Sequence, residues 1–232
     1  MTILSSKKSS VLLFLIFVFL GIQNIKAQEN FSMLIDPDFT VNIDPDSRWS
    51  YNFNLSNRDI IYEDGEYNFD AQHLQLSHFT SYEVGFYSKL SLGVRYRFKE
   101  IFDSDSQDEV RIVEQFGHSR KYNSLKVAHR TRFEQRLREI TTYRTRYRFS
   151  VELPLSGQRV DQNEFFIIGN TEALFSVGSE ERPKLEQRFS VALGNEIWAK
   201  TKATLGLQYR YEDYTGDPAS ELFITSEIIL SL

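Results

Sequence analysis

The 232-residue chain contains no cysteine, only two methionines and only five prolines. Without cysteine there are no disulfides, although an exported protein could form them, and lipid attachment at an N-terminal Cys is excluded. Beyond the first 27 residues no segment approaches a continuous apolar span. The mean hydropathy of −0.38 rules out a bundle of membrane helices. No Gly-rich loop of the kind that cradles phosphate is present. Basic charge is also in deficit, with 27 Lys and Arg against 32 Asp and Glu. That balance excludes nucleic acid as a bulk partner, because phosphate binding needs a basic surface.

The N-terminus reads as a secretory signal. Lys7 and Lys8 form a positive n-region, and Val11 to Ile22 is an apolar run of about 12 residues broken only by Gly21. That length suits a signal h-region and is short of the roughly 20 residues of a spanning helix. Ile25-Lys26-Ala27 then offers a small residue for cleavage after Ala27. The competing reading is an uncleaved N-terminal anchor. Cleavage removes three of the 27 basic side chains (Lys7, Lys8, Lys26), leaving 24 against 32 acidic ones, a net charge of −8 on 205 residues. Residues 28–47, with Asp36-Pro37-Asp38 and Asp44-Pro45-Asp46, read as an irregular periplasmic lead-in. The alternating ligand loop of a calcium site is absent from them.

What is abundant is aromatic residues, 19 Phe and 12 Tyr, and a period-two pattern. Trp49, Tyr51, Phe53 and Leu55 alternate with Ser50, Asn52, Asn54 and Ser56. Successive strand side chains point to opposite faces, so such a segment has one apolar and one polar face. Ten segments of this kind are predicted, near 48–57, 70–80, 87–99, 109–119, 124–138, 141–153, 164–177, 184–195, 200–212 and 220–232. Several are longer than the mean soluble strand of about 5–6 residues and reach the roughly 9–11 needed to cross a bilayer at a tilt. The expected fold is all-β: an antiparallel, transmembrane, up-and-down barrel of ten strands over 48–232, built from one chain, with both ends periplasmic. Trp49 and Trp198 are expected at one membrane interface. Tyr96, Phe98, Tyr143, Tyr209 and Tyr211 are expected at the other. Segment 109–119 alternates poorly, with Glu114 among Val110, Ile112 and Phe116, and suggests a bulge or an interfacial position.

The polar faces are rich in arginine. Arg95, Arg97, Arg130, Arg132, Glu134, Arg136, Arg144, Arg146, Arg148, Glu152, Glu172, Glu186, Arg188 and Arg210 form the candidate lumen charge network, with Glu212 and Glu227 as further carboxylates. A short hairpin around Glu139–Thr141 would set Arg136 opposite Arg144, Glu134 opposite Arg146 and Arg132 opposite Arg148. Opposed like charges are destabilising and need carboxylates from elsewhere. In a narrow barrel long Arg and Glu side chains would largely fill the interior. The first reading is therefore a structural or accessory component of an outer-membrane assembly. The second is a narrow channel for small polar or anionic solutes. The third is a membrane-embedded hydrolase, but His73, His78, His118 and His129 stand in no Ser or Asp constellation and at no metal-ligand spacing. No catalytic, cofactor or metal residue is assigned. The expected partners are outer-membrane lipid and, in the assembly reading, other outer-membrane proteins.

The stretch from His129 to Arg136 (HRTRFEQR), then Tyr143 to Arg148 (YRTRYR) and Leu153-Pro154-Leu155, resembles the bacterial family catalogued as domain of unknown function 2490. Glu109-Val110-Arg111, Glu114-Gln115, Asn170-Thr171-Glu172 and Gln187-Arg188 extend the resemblance over about 48–232. Val113 departs from it, where a large aromatic would be expected. The resemblance implies an outer-membrane barrel of Bacteroidota-type, Gram-negative genomes, with no activity attached. It also implies a lumen network of Arg130, Arg132, Glu134, Arg136, Arg146, Arg148, Glu172 and Arg188.

Overall fold

The computed structural model describes residues 31–63, 65–99, 108–179 and 182–232. The signal segment 1–27 and its cleavage after Ala27 lie outside the described residues. Eleven strands follow one another: β1 (Phe31–Ile43), β2 (Trp49–Glu63), β3 (Glu66–Val84), β4 (Ser88–Lys99), β5 (Glu109–Tyr122), β6 (Leu125–Leu137), β7 (Thr142–Pro154), β8 (Phe165–Gly178), β9 (Lys184–Trp198), β10 (Thr201–Glu212) and β11 (Ala219–Ser231). Each pairs antiparallel with its sequence neighbour, and β1 closes the barrel against β11.

The strand count differs from the ten expected, and the additional strand lies in the stretch read as an irregular lead-in. In β1 the odd positions Phe31, Met33, Ile35, Phe39, Val41 and Ile43 are apolar, and the even positions carry Asp36, Asp38, Thr40 and Asn42. Alternation is thus present, but Pro37 disguises it. A proline nitrogen cannot donate to a ladder, and the β1–β2 pairing breaks at Asp36 and Pro37 before resuming at Asp38↔Ser56. Of the two Asp-Pro-Asp repeats only the second is a turn, closed by Ser47 N–H donating to the Pro45 carbonyl.

An odd strand number changes the closure. β1 and β11 run parallel, with Phe31 beside Ser220 and Asn42 beside Ser231. The chain therefore enters the barrel at one rim and leaves it at the other, so the two ends do not share a side. The first rim carries the turns around 65, 138–141 and 213–218; the second carries 44–48, 85–87, 123–124, 155–164, 199–200 and Leu232.

Inside and outside are set by strand alternation. On the outer surface Leu55, Leu76, Leu92, Val94, Phe116, Phe133, Tyr147, Val191, Leu205, Leu207 and Ile228 are exposed, forming an apolar belt around the barrel. Trp49 and Trp198 sit at the second rim, at the start of β2 and the end of β9; Tyr96, Tyr143, Tyr209 and Tyr211 lie toward the first. β5 needs no bulge, since its pairings with β4 and β6 are continuous. Glu109, Arg111 and Val113 point inward and are buried, whereas Glu114 points outward between Leu92 and Phe133.

Few apolar side chains are buried, and they include Phe79, Phe166 and Phe223 on the inner face. Two lie flat on a glycine of the next strand. A Cβ on Gly93 would stand 2.3 Å from the Phe79 ring, and one on Gly194 would stand 2.2 Å from the Phe166 ring. Those positions must be glycine for the rings to cover the backbone.

Candidate functional site

The inward positions of β4 to β7 carry arginine at high density. Cross-strand neighbours include Arg95↔Arg111, Arg111↔Arg136, Arg132↔Arg146 and Arg130↔Arg148. The β6–β7 register corrects the hairpin pairing read from the sequence. Arg136 faces Thr142 and Glu134 faces Arg144, because the turn is centred one residue earlier, at Glu139. A shift of pairing by two positions leaves every side chain on its original face.

Two carboxylates make this tolerable. Glu134 is fully buried, with Arg146 at 3.1 Å, Arg111 and Arg132 at 3.7 Å and Arg95 at 3.8 Å. Glu172 has Arg148 at 2.7 Å, Arg130 at 3.3 Å, Arg146 at 3.6 Å and Arg188 at 3.9 Å. Arg146 belongs to both sets and joins them. Glu109 holds Arg111 and Arg136, and Glu186 holds Arg188. On the opposite side Asp36 pairs with Arg58 at 2.8 Å and with Arg210 at 3.6 Å. Buried ion pairs are expensive to desolvate and persist only when each charge is multiply compensated. Aromatic faces take part of the load: Arg95 and Arg132 both lie 5.3 Å from the Phe79 ring, and Arg210 lies 3.6 Å from Phe223.

These side chains do not fill the interior. A cavity of about 700 Å³ runs inside the barrel, lined by twelve arginines and by Asp36, Asp38, Glu212, Glu221 and Glu227. A second cavity of about 560 Å³ lies toward the first rim, beneath Arg182, Asp213 and Asp217. Arg136, Arg144 and Glu212 line both, so they stand where the two meet.

A family model described as protein of unknown function (DUF2490) matches residues 37–221. The chain belongs to this family. No curated protein and no solved structure matches the chain. The DUF2490 match begins at Pro37, inside β1, so it covers nearly the whole barrel.

Of the candidate network in this DUF2490 chain, the ten arginines at 95, 97, 130, 132, 136, 144, 146, 148, 188 and 210 all line the main cavity. Glu134 and Glu172 are buried behind those arginines, and Glu186 is buried against the second cavity. Glu152 stands apart, 3.5 Å from Lys126 near the second rim. Sequence reasoning missed Asp36, Asp38, Arg58, Glu109, Arg111 and Glu221. Glu109 and Arg111 were legible, since they fall two apart on one face of a predicted strand; the aspartates were hidden by Pro37. The histidines separate by face. His73 is buried against the cavity. His78 packs on Tyr51 and Phe53, and His118 and His129 form a cross-strand pair with Tyr147.

Proposed function

We propose that this chain is an exported, integral outer-membrane β-barrel whose lumen is a narrow path for small polar or anionic solutes. The observation that carries the solute reading is the unfilled, arginine-lined cavity of about 700 Å³ adjoining a second one along the lumen. The membrane reading is supported by the apolar belt on a closed barrel with a charged interior, an inversion of the usual soluble arrangement. Strands of 12 to 19 residues are long enough to cross a bilayer at a tilt. Tryptophans at one rim and tyrosines at the other suit the two headgroup levels.

Purified protein reconstituted in planar bilayers tests the channel. Anion-selective single-channel steps are expected, with a conductance altered by Arg136→Ala or Arg144→Ala at the junction of the cavities. Absence of current from both wild type and variants rejects a channel.

A second reading, a structural or accessory component of an outer-membrane assembly, is favoured by the Glu134 and Glu172 clusters. Together they tie β4 through β9 into one charged wall. Affinity purification from native membranes is its test. Co-purifying membrane proteins in fixed proportion support it, and elution alone rejects it.

A further inference from the structure

The lumen is electrically lopsided across its width. In a ring of eleven strands the β1/β11 seam stands opposite β6. Nine of the twelve arginines lining the main cavity come from β4 to β7, and all five lining carboxylates come from β1, β10 and β11. At the middle of the acidic side Asp38 and Glu227 are direct neighbours across the parallel seam. Asp38 accepts a hydrogen bond from Asn54 Nδ2 at 3.0 Å, and Glu227 accepts one from Thr40 Oγ1 at 3.2 Å. Among the described residues neither has a cation within ion-pair distance, unlike Asp36 two positions earlier. Side-by-side carboxylates of this kind repel unless positive charge is supplied.

Across the cavity the imbalance has the other sign. Arg95 and Arg132 reach their shared carboxylate, Glu134, only at 3.8 and 3.7 Å, while Arg146 already engages it at 3.1 Å. Arg132 also donates through Nε and Nη2 to Gln115 Oε1, at 3.1 and 2.6 Å, and the buried Arg95 Nε has no hydrogen-bond partner among the described residues. Arg146 is about nine-tenths buried on the cavity wall, and among the described residues its Nε has no hydrogen-bond partner. Guanidinium groups with donors to spare suit a carboxylate, which they can hold through two parallel hydrogen bonds.

A simple anion in this chamber meets Asp38 and Glu227; a simple cation meets the arginine wall. A molecule carrying both charges satisfies the two sides at once. We infer that the chamber binds small zwitterions, free amino acids or short peptides, with carboxylate toward Arg95, Arg130 and Arg132 and ammonium toward Asp38 and Glu227. This deepens the proposed solute path and rests on the lumen being accessible to solutes. A cavity of about 700 Å³ is within the usual range for small-molecule sites.

Titration calorimetry on the detergent-purified protein at low salt tests it. The probes are glycine, 4-aminobutyrate and 6-aminohexanoate, with butyrate and butylamine as single-charge controls. At least one amino acid is expected to bind tenfold or more tighter than both controls. The chain length preferred separates a free α-amino acid from a longer, peptide-like span. The Asp38→Asn/Glu227→Gln double variant removes repulsion, so it should fold, as a heat-shifted gel band will show, and it should bind butyrate at least as well as 4-aminobutyrate. Butyrate binding wild type as tightly as every amino acid, no binding by any probe, or an unchanged preference in the double variant overturns the inference. If the variant fails to fold, the wild-type comparison of 4-aminobutyrate with butyrate decides alone. Zwitterion binding without ion current rejects the channel and keeps this site; current without that preference does the reverse.

Discussion

Four guanidiniums converge on Glu134 because alternation on β4 to β7 sends every second side chain into the same interior. Nine arginines stand at those inward positions. A single carboxyl group with no solvent exposure then compensates several charges. Removing its charge leaves buried cations uncompensated, which typically costs about 3–5 kcal/mol. Glu134→Gln is therefore expected to lower the unfolding free energy of the barrel, measured by urea titration in detergent, by that order. Glu152→Gln, which loses only a half-exposed partner in Lys126, should change it by less than about 1 kcal/mol. Equal effects would show that the Glu134 cluster carries no special weight.

The glycine beneath each inward ring is a second constraint on single residues. Gly93→Ala should destabilise by about 1–3 kcal/mol through overpacking, because its new methyl group collides with Phe79. In the Phe79→Leu background the same substitution should cost clearly less. A thermodynamic cycle of the four proteins measures that coupling; additive effects would mean that the ring can move aside freely.

Among the elements, β1 decides the architecture. Phe39 and Ile228 are paired across the parallel seam, and the chain contains no cysteine. Phe39→Cys with Ile228→Cys should therefore form a single disulfide on mild oxidation, since neighbouring strands place Cα atoms within bridging distance. The product would migrate faster on a denaturing gel and slow again on reduction. A ten-stranded barrel starting at β2 would give no such bridge. Ten strands were legible from alternation because most of their apolar faces run unbroken, as in Leu90, Leu92, Val94 and Tyr96 of β4; in β5 only Glu114 interrupts the pattern. The eleventh was not, because Asp-Pro-Asp carries turn chemistry and one copy of it does form a turn. Local preference at Pro37 is overridden by closure: an open edge between β2 and β11 would leave two rows of backbone groups unpaired. The arginine network was legible for the same reason as the strands. Of the carboxylates that compensate it, Glu134, Glu172 and Glu186 were read from the same alternation, whereas Asp36 was not, because Pro37 hides its strand and its partner Arg58 lies 22 residues away in sequence.

At the scale of the whole molecule, the outer belt makes opposite predictions for its apolar positions and for its charged interruption at Glu114. Leu92→Arg or Leu207→Arg, on the outward face of β4 and β10, should cost about 2–4 kcal/mol in a bilayer. Glu114 already breaks the belt beside Leu92, so Glu114→Leu should raise stability in lipid. Vesicle-reconstituted protein titrated with urea checks both. If the two arginine variants and Glu114→Leu all leave the midpoint unchanged, the belt does not contact lipid. Wild type is also expected to show heat-modifiable gel migration and to need detergent.

The parallel seam also limits how the chain can be rewired. In a barrel with an even number of strands the first and last residues meet at one rim, and a short linker can join them. Here Phe31 and Leu232 lie at opposite rims, separated by the length of β11, 13 residues, or about 40 Å at the rise of an extended strand. Circular permutation would need a linker threading the lumen or crossing the apolar exterior. A permuted gene with a short joint should therefore fail to give a heat-modifiable barrel. Splitting the chain at the 155–164 turn and co-expressing the halves, which leaves every strand pairing intact, should succeed.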